Sequence, residues 1–123
     1  GYGLSYTTFQ YGDIVLNTPT MKQNETITAT IQVTNSGKYD GAEVVQLYIR
    51  DLVGSITRPV RELKGFKKIF LKAGESKTVS FKITADLLRF YAYDLNQVTE
   101  PGEFDIFIGG SSQATKTARL TLK

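Results

Sequence analysis

Carboxylates are the side chains of this sequence with the widest scope for chemistry. The 123 residues include no Cys and no His, which removes thiolate ligands, the commonest metal ligand and the commonest general base near neutral pH. Acid–base catalysis would then need two carboxyl groups close together beside a pocket. The candidates are scattered: Asp51, Glu62, Asp94 and Glu103. Their spacing suggests no such pair, so we interpret each as a turn or surface charge and predict no catalytic residue, metal or cofactor.

Basic residues are concentrated in one segment, RPVRELKGFKKIFLK at 58–72, and the formal net charge is +3. The Lys and Arg mostly alternate with apolar residues, which is typical of an edge strand protected by lysines. A nucleic-acid surface would need a continuous basic face, so no nucleic-acid partner is expected. No apolar run approaches the roughly 20 residues that a membrane-spanning helix needs, so no membrane partner is expected either.

Alternation of apolar and polar residues runs through nearly the whole sequence. In ETITATIQVTN, Ile27, Ala29, Ile31 and Val33 share one face and threonines dominate the other, as in a strand with one solvated side. The pattern recurs in EVVQLYIRD, SKTVSFKIT, GEFDIFIGG and TARLTLK. Asn35–Gly37, Ala73–Glu75 and Pro101–Gly102 supply turns between these segments. About seven short strands with such turns predict one all-β domain, a two-sheet antiparallel sandwich of immunoglobulin-like or fibronectin type III-like architecture.

Three tyrosines could form an aromatic patch on this sandwich. With Leu47 inward, Tyr48 points outward, and with Phe90 inward, Tyr91 and Tyr93 point outward. In a fibronectin-like strand order the two strands lie in one sheet, so the rings are expected to be exposed together. Such a patch suits an interdomain contact or stacking against sugars. The third interpretation is that tyrosine is simply a good strand former.

Two further segments carry positional signals. Pro59 interrupts any ladder, so the residues around Asp51, Ser55 and Arg58 are expected to protrude as a loop. Gly65 would permit a bulge at which Leu63 and Phe66 turn inward.

The opening, GYGLSYTTF, lacks an initiator Met and concentrates apolar side chains before any alternation begins. We therefore expect that the sequence is cut from a longer chain and that residues 1–11 are a linker. Its contacts with neighbouring structure would be made by Tyr2, Leu4, Tyr6 and Phe9.

GYGLSYTTF resembles the stretch that joins the second catalytic domain of glycoside hydrolase family 3 enzymes to their C-terminal fibronectin type III-like domain. The resemblance continues through VVQLYIRD, SITRPVRELKGFKKIFLKAGESKTVSFKIT and EPGEFDIFIGGSS. It implies a fibronectin type III-like domain over residues 12–123. It also implies a parent β-glucosidase or β-xylosidase whose Asp nucleophile and Glu acid/base belong to domains that are not in this sequence.

The resemblance therefore implies a non-catalytic accessory domain that packs against the catalytic domains of the same chain and stabilises them. The loop with Asp51, Ser55 and Arg58 would lie near the parent active site, and the parent would be periplasmic or secreted. A carbohydrate-binding module that contacts polysaccharide and a generic protein-interaction sandwich are the alternatives.

Overall fold

Eleven strands and one 3-10 turn form the described part of the chain, which comprises residues 7–51, 61–88, 90–91, 97–98, 102–111, 114 and 116–123 of a computed structural model. The 3-10 turn is Asp86–Leu88 and follows the seventh strand. The strands in chain order are β1 (Phe9–Tyr11), β2 (Val15–Leu16), β3 (Thr20–Met21), β4 (Thr26–Asn35), β5 (Gly41–Asp51), β6 (Arg61–Leu71), β7 (Ser76–Thr84), β8 (Phe90–Tyr91), β9 (Gln97–Val98), β10 (Gly102–Gly109) and β11 (Lys116–Leu122).

Two sheets pack face to face. In the first sheet, β4 pairs antiparallel with β7, β1 and β2. The second sheet has the order β3-β11-β10-β5-β6, so β6 is an edge strand. Its pairs are antiparallel except for the short parallel pair of β11 with β3. The predicted two-sheet sandwich is confirmed, and the additional strands are short ones of two or three residues.

The core lies between the inner faces of the two sheets. In β4, Ile27, Ala29, Ile31 and Val33 are at most 1% exposed, whereas the alternating threonines are not buried, as the sequence predicted. Inner residues of β5 and β10, including Leu47, Ile49, Ile106 and Ile108, complete the opposite wall. Burial of this aliphatic layer is the main favourable contribution to folding.

The edge strand β6 contains the predicted bulge. Leu47 lies opposite Gly65 and Tyr48 lies opposite Leu63, so Lys64 is the additional residue. The prediction that Leu63 and Phe66 turn inward is wrong, because their side chains are 51% and 66% exposed. They lie opposite Tyr48 and Gln46, which belong to the outer face of β5.

The inner side of β6 carries the apolar Ile69 and Leu71 near the end of the strand, but a glycine and a lysine, Gly65 and Lys67, in its middle. An ideal Cβ on Gly65 would lie 3.8 Å from the Phe81 ring of the other sheet. Lys67 extends over the same ring, with Nζ 5.5 Å from its centroid, and donates to the Ser80 carbonyl. An inward-pointing lysine on an edge strand is one way in which proteins oppose pairing with further strands.

The described end of the predicted linker is part of the sandwich. Phe9–Tyr11 form β1, which pairs with β4 from Phe9 opposite Asn35 to Tyr11 opposite Val33. Phe9 is partly buried and packs against the core. The last three residues of the predicted linker therefore form a sheet strand, and the predicted boundary after residue 11 coincides with the end of that strand. Tyr2, Leu4 and Tyr6 lie outside the described residues.

Candidate functional site

Asn35 is the polar centre at one end of the sandwich. It is the last residue of β4 and is 0% exposed. Its Nδ2 donates to the carbonyls of Tyr39 at 2.8 Å and Leu71 at 3.1 Å. Its Oδ1 accepts from Thr7 Oγ1 at 2.6 Å and from the Gly37 amide at 3.0 Å. A buried amide with two donors and two accepted hydrogen bonds is fully satisfied, so it ties β6, the 36–40 loop and residue 7 together.

The chain before β1 is held closely against this loop. The Ser36 amide donates to the Thr8 carbonyl at 2.9 Å, and the two hydroxyls of these residues also lie 2.9 Å apart. An ideal Cβ on Gly37 would lie 2.0 Å from Thr7 Oγ1 and 2.8 Å from the Thr8 nitrogen. Only glycine fits in this contact without displacing backbone. The Asn35 anchor, which we define as Thr7, Thr8, Asn35, Ser36 and Gly37, thus fixes the first described residues against the end of β4 and the loop after it.

A tyrosine connects the two sheets next to the anchor. Tyr11 of β1 donates its hydroxyl to Glu43 Oε2 of β5 at 2.9 Å. Burial, reinforced by the negative charge of Glu43, raises the pKa of Tyr11 above its ordinary value. An ideal Cβ on Gly110 would lie 2.7 Å from Glu43 Oε2, so a glycine leaves room for this pair.

Charged residues occupy one half of the outer face of the second sheet. Asp105 Oδ2 lies 2.8 Å from Arg50 Nη2, and Asp105 Oδ1 lies 2.8 Å from Arg119 Nε. Burial alone would raise the pKa of Asp105, but the hydrogen bonds from both arginines outweigh it and hold that pKa below its usual range. Arg119 Nη1 also contacts Glu103 at 3.0 Å. The arrangement is a closed ion network and leaves the Asp105 carboxylate unsuited to proton transfer near neutral pH.

A second, small cluster separates these charges from the edge of the sheet. Phe107 packs with Tyr48 and Ala114, and all three are buried. The Arg61 guanidinium lies 3.7 Å from the centroid of the Phe107 ring, and that of Arg50 lies 5.2 Å from it. Both arginines therefore cover the aromatic ring and leave little of it for a ligand.

Apolar side chains dominate the other half of that outer face, along β5 and β6. We call this surface the β6 face and define it by its residues: Val44, Leu63, Phe66, Lys68 and Phe70. Leu63, Phe66 and Phe70 are each more than half exposed. Val44, Leu63 and Phe66 line a shallow concavity with Gln46. Lys68 lies opposite Val44, between the two phenylalanines along β6, and has no ion-pair partner in the described part of the chain.

Of the three side chains in the predicted tyrosine patch, the structure describes that of Tyr48. Tyr48 is on the outer face, as the alternation requires, but it is only 9% exposed because Phe107 and Ala114 cover it. Its hydroxyl donates to Gln46. Tyr91 belongs to β8, which among the described strands pairs only with β9 and not with the sheet of Tyr48. Tyr93 lies outside the described residues.

Only the first residue of the loop predicted around Asp51, Ser55 and Arg58 lies among the described residues. Asp51 ends β5, whereas Ser55 and Arg58 lie outside the described residues. Across the ranges that the structure describes, no three acidic, His or Cys residues are grouped as metal ligands would be. The same ranges hold no helix that is long and apolar enough to cross a membrane.

Sequence reasoning missed both the Asn35 anchor and the β6 face. Asn-Ser-Gly after an alternating run signals a turn equally well whether the asparagine is buried or solvated. The β6 face could be recognised only once the register with β5 was known, because the faces of β6 depend on which residue opposes Leu47.

Comparison with known proteins gives concordant findings. The model of the family described as "Fibronectin type III-like domain" matches residues 43–112. The chain is 48% identical over 122 residues to the periplasmic β-glucosidase of Salmonella typhimurium, covering 99% of this chain and 16% of that protein. It is 51% identical over 125 residues to a β-xylosidase of Formosa agariphila, covering 100% and 17%.

A solved structure is similar over the full length of the chain. It is a β-glucosidase involved in saponin metabolism from intestinal bacteria, with a TM-score of 0.90 and 39% identity, covering 100% of this chain and 17% of that one. The chain thus spans about one sixth of the length of these relatives.

Proposed function

The chain belongs to the fibronectin type III-like domain family, as carried by glycoside hydrolase family 3 β-glucosidases and β-xylosidases, and we propose that it is a non-catalytic accessory domain of such an enzyme. It packs against the catalytic domains of the same chain and stabilises them during the degradation of β-glycosides. The parent is a retaining β-glycosidase whose reacting carboxylates lie in those other domains. The domain is periplasmic or secreted, in keeping with a relative named as a periplasmic enzyme.

The observation that carries this proposal is the Asn35 anchor. Thr7 and Thr8 are bonded to the end of β4 and to the loop after it, and Asn35 is completely buried. A module that searches for polysaccharide on a flexible tether has no need of such an attachment. A domain that must keep a fixed orientation to the preceding part of the enzyme requires one.

The buried Tyr48 also favours packing over sugar stacking. A sugar-binding platform needs a flat ring that is open to solvent, whereas Tyr48 is covered and the Phe107 ring faces two guanidinium groups. Tyr91 and Tyr93 remain candidates for a contact with the catalytic domains. Asp51, Ser55 and Arg58 remain candidates for a loop near the substrate entrance.

A chimaera tests the accessory role. The matching segment of the Salmonella β-glucosidase is replaced by this chain, deleted, or replaced by an unrelated β-sandwich of similar size. We expect the chimaera to retain aryl β-glucoside hydrolysis and its half-life at elevated temperature, and the other two variants to lose both. Full activity and half-life in the deletion variant would reject the proposal.

Titration of the isotopically labelled 123-residue chain with β-glucan and xylan oligosaccharides tests the carbohydrate-binding alternative. The accessory role predicts amide signals that do not shift. Saturable shifts would assign the domain to carbohydrate binding instead.

A further inference from the structure

We propose that the β6 face is the surface through which this domain docks onto the remainder of the β-glycosidase chain, onto an apolar surface that carries a carboxylate opposite Lys68. This inference rests on the proposed function and names the contact by which that function is exerted.

The first support is the exposure of the β6 face. Phe66, Phe70 and Leu63 are 66%, 53% and 51% exposed and lie along one outer edge of the second sheet. The outer face of the first sheet is different, because Thr, Ser, Gln and Lys side chains dominate β4 and β7 there. Contiguous apolar surface of this kind marks an interaction site, whereas a single exposed apolar residue does not.

The second support is the register of β6. The bulge at Lys64 places Leu63 and Phe66 on the same outer face although they are three positions apart. Meanwhile Lys67 occupies the inner face, where a large apolar residue would add to the core. The strand therefore contributes Ile69 and Leu71 to the interior but presents both of its phenylalanines to the exterior, which folding of the isolated domain does not require.

The third support identifies the occupant. The relatives are about six times longer than this chain, so a large protein surface is available within one polypeptide. Asn35 bonds both to Thr7, the first described residue, and to the carbonyl of Leu71, the neighbour of Phe70 in β6. The anchor thus holds Thr7 next to the end of the β6 face. A partner attached there reaches this face without a long connection.

The charge of the face defines the chemistry of that partner. Lys68 is exposed between Phe66 and Phe70 in β6, and the structure gives it no ion-pair partner within the described ranges. Buried beneath a docked domain, an unpaired ammonium would be costly, so the partner must offer it an acceptor. A carboxylate within an apolar surface meets this requirement.

The test uses the chimaera with the Salmonella enzyme. Phe66→Thr is compared with Val15→Thr, because Val15 is 62% exposed but lies on β2 of the other sheet. Lys68→Glu is compared with Lys82→Glu, because Lys82 is exposed on β7. The half-life of activity at elevated temperature is measured for each chimaera. The urea midpoint of each isolated 123-residue variant shows whether the domain itself is weakened.

We expect Phe66→Thr and Lys68→Glu to shorten the half-life of the chimaera roughly tenfold, while the isolated domains keep their urea midpoints. The free energy gained by burying a phenylalanine side chain is large enough to change a docking equilibrium by that factor. The half-lives of the Val15→Thr and Lys82→Glu chimaeras should remain within about twofold of that of the unsubstituted chimaera. Equal half-lives for the Phe66 and Val15 chimaeras would overturn the docking face, even if deletion of the domain inactivates the enzyme. Unimpaired activity and half-life after deletion of the whole domain would instead contradict the proposed function itself.

A second copy of the chain is the competing occupant. Light scattering of the isolated domain should give a monomer at all accessible concentrations. A dimer that Phe66→Thr abolishes would assign the β6 face to self-association and overturn the proposal.

Discussion

The Thr7 hydroxyl donates a 2.6 Å hydrogen bond to the Asn35 side-chain oxygen, joining two residues 28 positions apart in the sequence. This bond connects the strand-ending asparagine to the chain before β1. Because the same amide also holds the Tyr39 and Leu71 carbonyls, the first described residues, the 36–40 loop and the edge strand β6 share one buried group. A substitution of Asn35 should therefore destabilise all three segments.

Asn35→Ala should lower the free energy of unfolding by about 3 kcal/mol, because it leaves several buried hydrogen-bonding groups without a partner. Urea denaturation measures the loss. Asn24→Ala is the matched control, since Asn24 is exposed in the turn before β4 and should change stability by less than about 0.5 kcal/mol. Equal effects of the two substitutions would contradict the role of the anchor.

Gly37→Ala should detach the chain before β1. The new methyl group would overlap Thr7 Oγ1 and the Thr8 nitrogen, and the backbone atom cannot move aside as a flexible side chain could. We expect a loss of about 2 kcal/mol and faster exchange of the Ser36 amide, which donates to the Thr8 carbonyl. Gly12→Ala is the control because its Cβ would make only ordinary contacts at 3.6 Å. Unchanged Ser36 exchange in Gly37→Ala would refute this account.

Asp105→Asn should remove part of the acid dependence of stability. The folded-state pKa of Asp105 is depressed, so its stabilisation is present above the unfolded pKa of about 3.9 and is lost as the pH falls through the lower folded value. We expect a cost of about 2 kcal/mol at pH 7 that shrinks below about pH 4. Urea midpoints across this range measure it. Asp13→Asn, at a side chain that is 93% exposed, should show no comparable effect.

Tyr11→Phe should weaken the contact between the sheets and remove one late step from the alkaline titration. The raised pKa of Tyr11 means that its stabilisation is fully present below about pH 10 and is lost as the pH rises further. Absorbance at 295 nm should show the seven tyrosines of the native protein ionising over a wider range than those of the unfolded chain. The variant should lack the last step and lose about 1 kcal/mol.

Tyr39→Phe is the control for the removal of one phenolic hydroxyl, because the Tyr39 ring is largely exposed. It should leave the urea midpoint within about 0.5 kcal/mol of the native value. If the last ionisation step persists in Tyr11→Phe, another tyrosine is responsible for it.

The sequence was sufficient to predict the sandwich, because strict alternation in β4 and β7 specifies an inner and an outer face without knowledge of the partner strand. It also predicted the bulge near Gly65. The side on which β6 displays Leu63 and Phe66 depends on its register with β5, which a single strand does not encode. The prediction that Tyr48 is exposed is wrong for a related reason, because the ring that covers it belongs to Phe107, 59 positions away in the sequence.

The additional residue in β6 has a consequence for how this surface can change. Because Lys64 is the additional residue, its deletion would leave Leu47 opposite Gly65 and Tyr48 opposite Leu63 in a regular ladder, with Leu63 and Phe66 still on the outer face. A deletion between Lys67 and Leu71 that is absorbed at the bulge would instead move Phe66 by one position, into the space on the inner face that Lys67 now holds. Homologous chains should therefore tolerate a gap at Lys64 more readily than a gap between Lys67 and Leu71.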